Sequence, residues 1–200
     1  MKKIISGVME LNLPNKLTLL RIVLVPVYLV LLGMNLNWAA LIVFVIAALT
    51  DLFDGKIARK YNLITNFGKF MDPIADKMLT HTAFIMLCAM GRLNAAACII
   101  FVAREFVVSG LRLCAVEQGH VIAAGMSGKI KTVLQMILAI LLTILPFFEQ
   151  LGAAMGGVFA AFGMLLSVAG DLLMIAAAAM TLYSMVEYVW QNRAVLGGAK

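Results

Sequence analysis

Residues 51–76 read DLFDGKIARKYNLITNFGKFMDPIAD. This stretch carries four aspartates, an arginine and two glycines in a chain of 200 residues that is 64% hydrophobic and only 13% charged. Soluble domains carry about a quarter of their residues as charged side chains. The composition therefore indicates a membrane protein, and a group of acids inside it requires a chemical explanation.

The apolar runs on either side of this stretch predict the fold. A helix needs about 20 mostly apolar residues to cross the hydrocarbon layer, and such runs lie at 17–33, 38–60, 70–91, 94–117, 129–147 and 155–190. We therefore predict an all-α, polytopic membrane protein with six transmembrane helices in a single domain over residues 1–200. Residues 1–16 are too polar to continue an apolar run, and they predict a short amphipathic helix on the membrane surface.

The distribution of basic residues indicates how this predicted bundle is oriented in the membrane. Most of them fall on the side of the two termini, whereas the opposite connections contain one, Arg92. By the positive-inside rule the basic side is cytoplasmic, which predicts a multi-pass protein with both termini in the cytoplasm. The formal net charge of +6 then reflects topology and attraction to anionic membrane lipids, and we expect no nucleic-acid partner.

The first half of the opening stretch has helical spacing. Asp51, Asp54, Gly55 and Ala58 stand at i, i+3, i+4 and i+7. If the second helix continues through Arg59, these positions share one face. Two carboxylates and a patch of bare backbone are then expected side by side.

The second half repeats the pattern. Gly68, Asp72 and Asp76 stand at i, i+4 and i+8, again one helical face. Pro73 either starts a regular helix, with Asp72 near its N-cap, or interrupts one already begun. Both cases keep the two aspartates about one turn apart.

Four carboxylates on two such faces would repel strongly unless protons or cations neutralised them. Oxygen ligands suit Mg²⁺, Mn²⁺ or Ca²⁺, and the absence of His and Cys from the stretch argues against zinc. The small residues would let a ligand approach the backbone closely, and Arg59 could pair with a phosphate. The neighbouring lysines are explained by extension of their side chains to the membrane interface. That explanation fails for acids, which contribute little to topology.

The complete pattern, D-x2-D-G-x2-A-R-x8-G-x3-D-x3-D over residues 51–76, resembles the signature of the CDP-alcohol phosphotransferases. Eight fixed positions make this a specific signal. The segments PNKLTLLRIVLVP, AREFVVSGLR and SGKIKT elsewhere in the chain are similar to the bacterial phosphatidylglycerophosphate synthase branch of that family.

The resemblance implies a six-helix fold in the inner (cytoplasmic) membrane, usually a homodimer, whose active site opens to the cytoplasm. It implies that a phosphatidyl group passes from CDP-diacylglycerol to an alcohol and that CMP leaves. It also assigns roles to the motif residues. One or two Mg²⁺ or Mn²⁺ ions at the diphosphate are held by Asp51, Asp54, Asp72 and Asp76, and Asp76 is also the general base. Space for the cytidine is made by Gly55, Ala58 and Gly68, and Arg59 holds the nucleotide.

Three polar residues cluster at the start of the first helix, Asn15, Thr18 and Arg21. We predict that they belong to the CDP-binding site. Arg21 either reaches the diphosphate or extends to the membrane interface.

Cations in and after the fourth apolar run point to an anionic acceptor. The predicted acceptor-phosphate residues are Arg104, Ser109, Arg112, Lys129 and Lys131. The resemblance makes this acceptor sn-glycerol 3-phosphate. Two alternatives stay open: the lysines set topology, and Arg104 pairs with Glu105.

Other functions also fit parts of the sequence. A relative with another acceptor, such as a cardiolipin, phosphatidylserine or inositol-phosphate-type synthase, shares the aspartates. A cation or proton transporter also places acids in the membrane, but it needs them near the midplane, whereas these fall beside a cytoplasmic connection. An intramembrane aspartyl protease needs two acids and has no use for the small residues and the arginine.

Overall fold

The computed structural model describes residues 12–60, 66–120, 122–123 and 125–197. The side chains of residues 14, 51–60, 66–70, 72, 73, 76 and 196 lie outside this description. Throughout these ranges every regular element is a helix. The helices are α1 (Leu13–Gly33), α2 (Asn37–Lys60), α3 (Asn66–Ala89), α4 (Ala95–Glu117), α5 (Met126–Met155), α6 (Gly157–Gln191) and α7 (Arg193–Leu196).

The helices α1 to α6 match the six predicted apolar runs, so the all-α prediction is confirmed. In the described part of the chain, three stretches are long and apolar enough to cross a membrane: Asn15–Gly33, Met126–Met155 and Gly157–Gln191. Shorter apolar stretches occupy Asn37–Thr50 and Lys77–Ala89. In α6 only 11% of the most apolar window is buried, which leaves an apolar surface of the kind that lipid covers. Most of the predicted N-terminal amphipathic helix, residues 1–11, lies outside the described residues, and α1 already begins at Leu13.

Contacts group the chain into two compact units, Met1–Met86 and Leu87–Lys200. In the first unit α1 packs against α2. Pro14 stands in the first turn of α1, where its missing N–H costs nothing. The Tyr28 and Phe44 rings, both fully buried, lie with their centroids 5.3 Å apart. This pairing fixes α1 beside the helix that carries the first half of the aspartate motif.

In the second unit α6 packs against both α4 and α5. Asn94 caps α4, and its side chain accepts a hydrogen bond from the Ala96 N–H at 2.8 Å, which satisfies one of the donors at the helix start. Val108, Leu111 and Tyr188 form a buried cluster between α4 and α6. The helices α4 and α6 are therefore held together along the segment that contains the predicted acceptor residues.

A tight turn joins α5 to α6. Gly156 and Gly157 have φ values of 62° and 54°, a conformation that favours glycine. Near the turn, a Cβ placed on Gly152 would lie 2.8 Å from the Ala160 Cα. The two helices therefore meet backbone to backbone, as small residues allow in membrane proteins.

Candidate active site

The first half of the aspartate motif lies on one continuous helix. Helix α2 runs from Asn37 to Lys60, so Asp51, Asp54, Gly55 and Ala58 occupy its last three turns, followed by Arg59. The expectation that the second helix continues through Arg59 is confirmed. The backbone register therefore places the two aspartates one turn apart on this helix.

The second half lies on α3, which begins at Asn66. Pro73 is therefore inside a helix already begun, which decides between the two possibilities left by the sequence. Gly68, Asp72 and Asp76 follow one another at intervals of one turn along α3.

The donor set of the motif fits a hard divalent cation. Its four aspartates stand at one-turn intervals on two consecutive helices, and carboxylate oxygen is the ligand type that Mg²⁺ and Mn²⁺ prefer. The side chains themselves lie outside the described residues. Elsewhere in the described part of the chain there is no group of three His, Cys, Asp or Glu side chains that could hold a metal ion.

Three predicted nucleotide-binding residues of α1 are buried. Asn15, Thr18 and Arg21 are 3%, 0% and 1% exposed. The Arg21 Nε donates to the Thr50 Oγ1 at 3.5 Å, and Thr50 immediately precedes Asp51. The burial of Arg21 excludes the alternative in which its side chain extends to the membrane interface. Its guanidinium lies instead beside the start of the motif.

A second polar centre surrounds Arg104 on α4. Arg104 is 7% exposed. Its Nη1 donates to the Glu105 Oε1 at 2.7 Å, and its Nη2 donates to the Ser184 Oγ on α6 at 2.9 Å. Its Nε is buried and has no hydrogen-bond partner. An unpaired donor of this kind is costly in a protein interior, so it marks a place where an anionic oxygen would be stabilised.

Lys131 on α5 joins this centre through the same carboxylate. Its Nζ donates to the Glu105 Oε1, and the residue is 3% exposed. Two cations and one carboxylate therefore meet where α4 and α5 come together, with one net positive charge. Of the five predicted acceptor residues, the structure brings Arg104 and Lys131 together, and it also contains the Arg104–Glu105 pair that the sequence left as the alternative.

Among the other three predicted acceptor residues, Arg112 has a different partner on α6. Arg112 is exposed, and its Nε donates to the Tyr188 hydroxyl at 3.0 Å. It stands two helical turns from Arg104, about 12 Å along α4. Ser109 is half-buried, and Lys129 is exposed.

The sequence analysis missed a row of polar groups on α6. Thr181, Ser184 and Tyr188 are 0%, 1% and 6% exposed and stand at i, i+3 and i+7. They pair respectively with Gln135, Arg104 and Arg112. Hydroxyl groups at helical spacing in an otherwise apolar segment were the available signal.

Comparison with known proteins identifies the group to which this architecture belongs. A model of the CDP-alcohol phosphatidyltransferase family matches residues 11–183. The chain belongs to this family. The matched range contains all eight motif positions as well as Arg104, Glu105 and Lys131, and it ends one residue before Ser184.

Relatives within the CDP-alcohol phosphatidyltransferase family agree in their names. The CDP-diacylglycerol–glycerol-3-phosphate 3-phosphatidyltransferase of Bacillus subtilis (strain 168) is 45% identical over 153 residues, which are 68% of this chain and 79% of the relative. The enzyme of the same name from Escherichia coli (strain K12) is 34% identical over 198 residues, 94% of this chain and 98% of the relative. A probable phosphatidylglycerophosphate synthase of Mycobacterium tuberculosis (strain ATCC 25618 / H37Rv) is 39% identical over 195 residues, 94% of this chain and 85% of the relative.

Proposed function

We propose that this CDP-alcohol phosphatidyltransferase transfers the phosphatidyl group of CDP-diacylglycerol to sn-glycerol 3-phosphate. The products are phosphatidylglycerophosphate and CMP, a step in the biosynthesis of the anionic lipid phosphatidylglycerol. The observation that carries the proposal is the complete eight-residue motif, whose two halves lie at helical spacing on α2 and α3. The relatives of the chain bear the name of this reaction.

In this proposal the nucleotide part of CDP-diacylglycerol binds to residues of the first unit. Asp51, Asp54, Asp72 and Asp76 would hold one or two Mg²⁺ or Mn²⁺ ions, which would neutralise charge on the diphosphate and on the departing CMP. We place the cytidine against the small residues Gly55, Ala58 and Gly68, with Arg59 on a phosphate and Asn15 and Thr18 nearby. The buried Arg21 supports this placement, because its guanidinium lies beside the residue that precedes Asp51.

Asp76 acts as the general base. It takes the proton from a hydroxyl of the acceptor, and the hydroxyl oxygen forms a bond to the phosphorus attached to diacylglycerol. The bond from that phosphorus to the bridging oxygen breaks, and CMP leaves with that oxygen. Direct displacement of this kind requires no additional nucleophile, so alignment of the two substrates accounts for much of the rate.

The phosphate of the acceptor would bind at the second polar centre, around Arg104. Arg104 and Lys131 would bind it, and Ser109, Arg112 and Lys129 would contribute nearby donors and positive charge. The buried cations and the unpaired Arg104 Nε support a phosphorylated acceptor over a neutral one, because an arginine binds phosphate by paired hydrogen bonds.

The remaining features follow the family resemblance. We propose that residues 1–200 form one catalytic domain with six membrane-spanning helices in the inner membrane, and that the protein is a homodimer. The distribution of basic residues supports an active site on the cytoplasmic face, where the lipid donor would meet the water-soluble acceptor.

Release of CMP by purified protein in detergent tests the proposal. The protein is supplied with CDP-diacylglycerol, Mg²⁺ or Mn²⁺, and either sn-glycerol 3-phosphate or myo-inositol 1-phosphate. We expect release with glycerol phosphate alone, its loss on chelation of the metal, and its loss in Asp76→Asn but not in the matched variant Asp171→Asn on α6. Release only with the inositol phosphate would keep the donor site and overturn the acceptor. Silence with every acceptor, in folded protein, would overturn the enzyme assignment in favour of a transporter.

A further inference from the structure

The polar centre around Arg104 contains a carboxylate that the proposed reaction does not use. Glu105 carries a negative charge into the place where a phosphate is expected to bind, and its side chain is only 18% exposed. A carboxylate there weakens the attraction for an anion, so its presence needs a compensating role.

The contacts of Glu105 indicate what that role is. Its Oε1 accepts from Arg104 Nη1 at 2.7 Å and from Lys131 Nζ. Lys131 lies 26 residues further along the chain, on a different helix. One oxygen atom therefore holds two cations that would otherwise repel each other in a buried setting.

Ser184 fixes the other side of the same guanidinium. Its Oγ accepts from Arg104 Nη2 at 2.9 Å across 80 residues of chain. A Cβ on Gly128 of α5 would lie 3.2 Å from that Nη2 and 3.8 Å from the Ser184 Oγ. The guanidinium is thus held on two sides by hydrogen bonds and fits closely against the backbone of α5.

These contacts leave one edge of the guanidinium with a donor that has no partner. Nη1 is engaged by Glu105 and Nη2 by Ser184, whereas the Nε remains without a hydrogen-bond partner. Nε and Nη2 lie on one edge, the edge that binds a phosphate through paired donors. The Ser184 hydroxyl accepts from Nη2 and keeps its own hydrogen to donate to an oxygen bound at that edge.

We infer that Glu105 and Ser184 are positioning residues for the acceptor: they hold Arg104 and Lys131 so that the Nε edge of Arg104 faces the acceptor phosphate. The inference rests on the proposed function for the identity of the acceptor. Its physical basis is that a prearranged site loses less entropy when it binds than one that must first order its side chains.

Steady-state kinetics of Glu105→Gln and Ser184→Ala tests this role. Their matched controls are Glu117→Gln, exposed on the same helix as Glu105, and Ser167→Ala on the same helix as Ser184. We expect Glu105→Gln to raise the KM for sn-glycerol 3-phosphate at least about tenfold and Ser184→Ala to raise it about threefold, with the KM for CDP-diacylglycerol within about twofold of the parent. A purely structural role would lower the melting temperature and reduce the use of both substrates together. That result, or an unchanged acceptor KM, would overturn the inference.

A binding measurement separates failure of this inference from failure of the proposed function. Thermal stabilisation by sn-glycerol 3-phosphate alone is measured for the parent, Glu105→Gln and Glu117→Gln. Stabilisation of the parent and of Glu117→Gln, with about tenfold weaker binding by Glu105→Gln, would support the positioning role even without turnover. Equal stabilisation of all three proteins would overturn the positioning role alone, and no stabilisation of any of them would overturn both proposals.

Discussion

Replacement of Arg104 by lysine should weaken use of the acceptor without abolishing the positive charge at the site. Arg104 donates to Glu105 at 2.7 Å and to Ser184 at 2.9 Å from two different nitrogens. A lysine ends where the guanidinium carbon stands, so its ammonium falls short of both partners by about one covalent bond and has no Nε. The variant therefore separates charge from geometry.

The magnitude follows from the hydrogen bonds that one ammonium cannot replace. A hydrogen bond to a charged group contributes about 1.5–3 kcal/mol. Since about 1.4 kcal/mol corresponds to a factor of ten, we expect kcat/KM for sn-glycerol 3-phosphate to fall about 10- to 150-fold. The loss should lie mainly in the KM for the acceptor, because the interaction is made with the bound phosphate.

The assay is CMP release with each substrate varied in turn at saturating concentration of the other. Arg193→Lys, at an exposed arginine of α7, is the matched control and should behave as the parent. If Arg104→Lys used glycerol phosphate as well as the parent, the guanidinium would not bind the acceptor. An equal loss for both substrates, together with a lower melting temperature, would make its role structural.

Two further predictions concern the first unit and the α5–α6 turn. Arg21→Lys should reduce kcat/KM for CDP-diacylglycerol by about tenfold or more, because a buried hydrogen bond beside the aspartate motif is lost. The KM for the acceptor should stay unchanged, and a changed value would contradict the placement of Arg21 in the donor site. Gly152→Ala should destabilise the protein by about 1–3 kcal/mol, since its Cβ would lie 2.8 Å from the Ala160 Cα. The matched control in thermal unfolding is Gly110→Ala on α4, where a Cβ meets nothing within 4 Å, and it should be neutral or stabilising. Equal melting temperatures of the two variants would refute the close approach of α5 and α6 at Gly152.

The helices were predictable because their signals are local. A run of apolar residues long enough to cross a membrane is visible in the sequence alone, and all six runs became helices. The fifth was predicted too short, at 129–147, whereas α5 extends to Met155. Pro146 and the polar residues Glu149 and Gln150 are of types that often end an apolar helix. The helix accommodates that proline in its interior and continues to Gly156, whose positive φ allows the turn.

The aspartate motif was readable for a related reason. Its eight positions are set by the period of two helices, so the backbone register follows from sequence spacing once the helices exist. The structure decided what spacing left open: α3 begins before Pro73, and Arg21 is buried beside Thr50. Both results depend on packing, which a local pattern does not encode.

The proposed acceptor centre was only partly predictable because it is held by long-range contacts. Arg104 and Lys131 stood out as cations near apolar runs, but nothing in their spacing shows that Glu105 joins them or that Ser184 lies opposite across 80 residues. The helix α6 supplies three hydroxyl groups to this part of the protein, and the sequence gives no charge to draw attention to them.

The donor and acceptor residues should respond differently to substitution, because the former follow a local pattern and the latter depend on long-range contacts. The proposed metal and nucleotide residues form a fixed local pattern, and a change there should abolish turnover with any acceptor. The proposed acceptor cations and their partners come from three helices, α4, α5 and α6, so exchange of the uncharged Ser184 on α6 should release Arg104 while the donor site is intact. Thr181 and Ser184 are buried one turn apart on α6, and they pair with Gln135 and Arg104 respectively. Acceptor specificity should therefore change through the partners of Arg104, such as Ser184, more readily than through the aspartates.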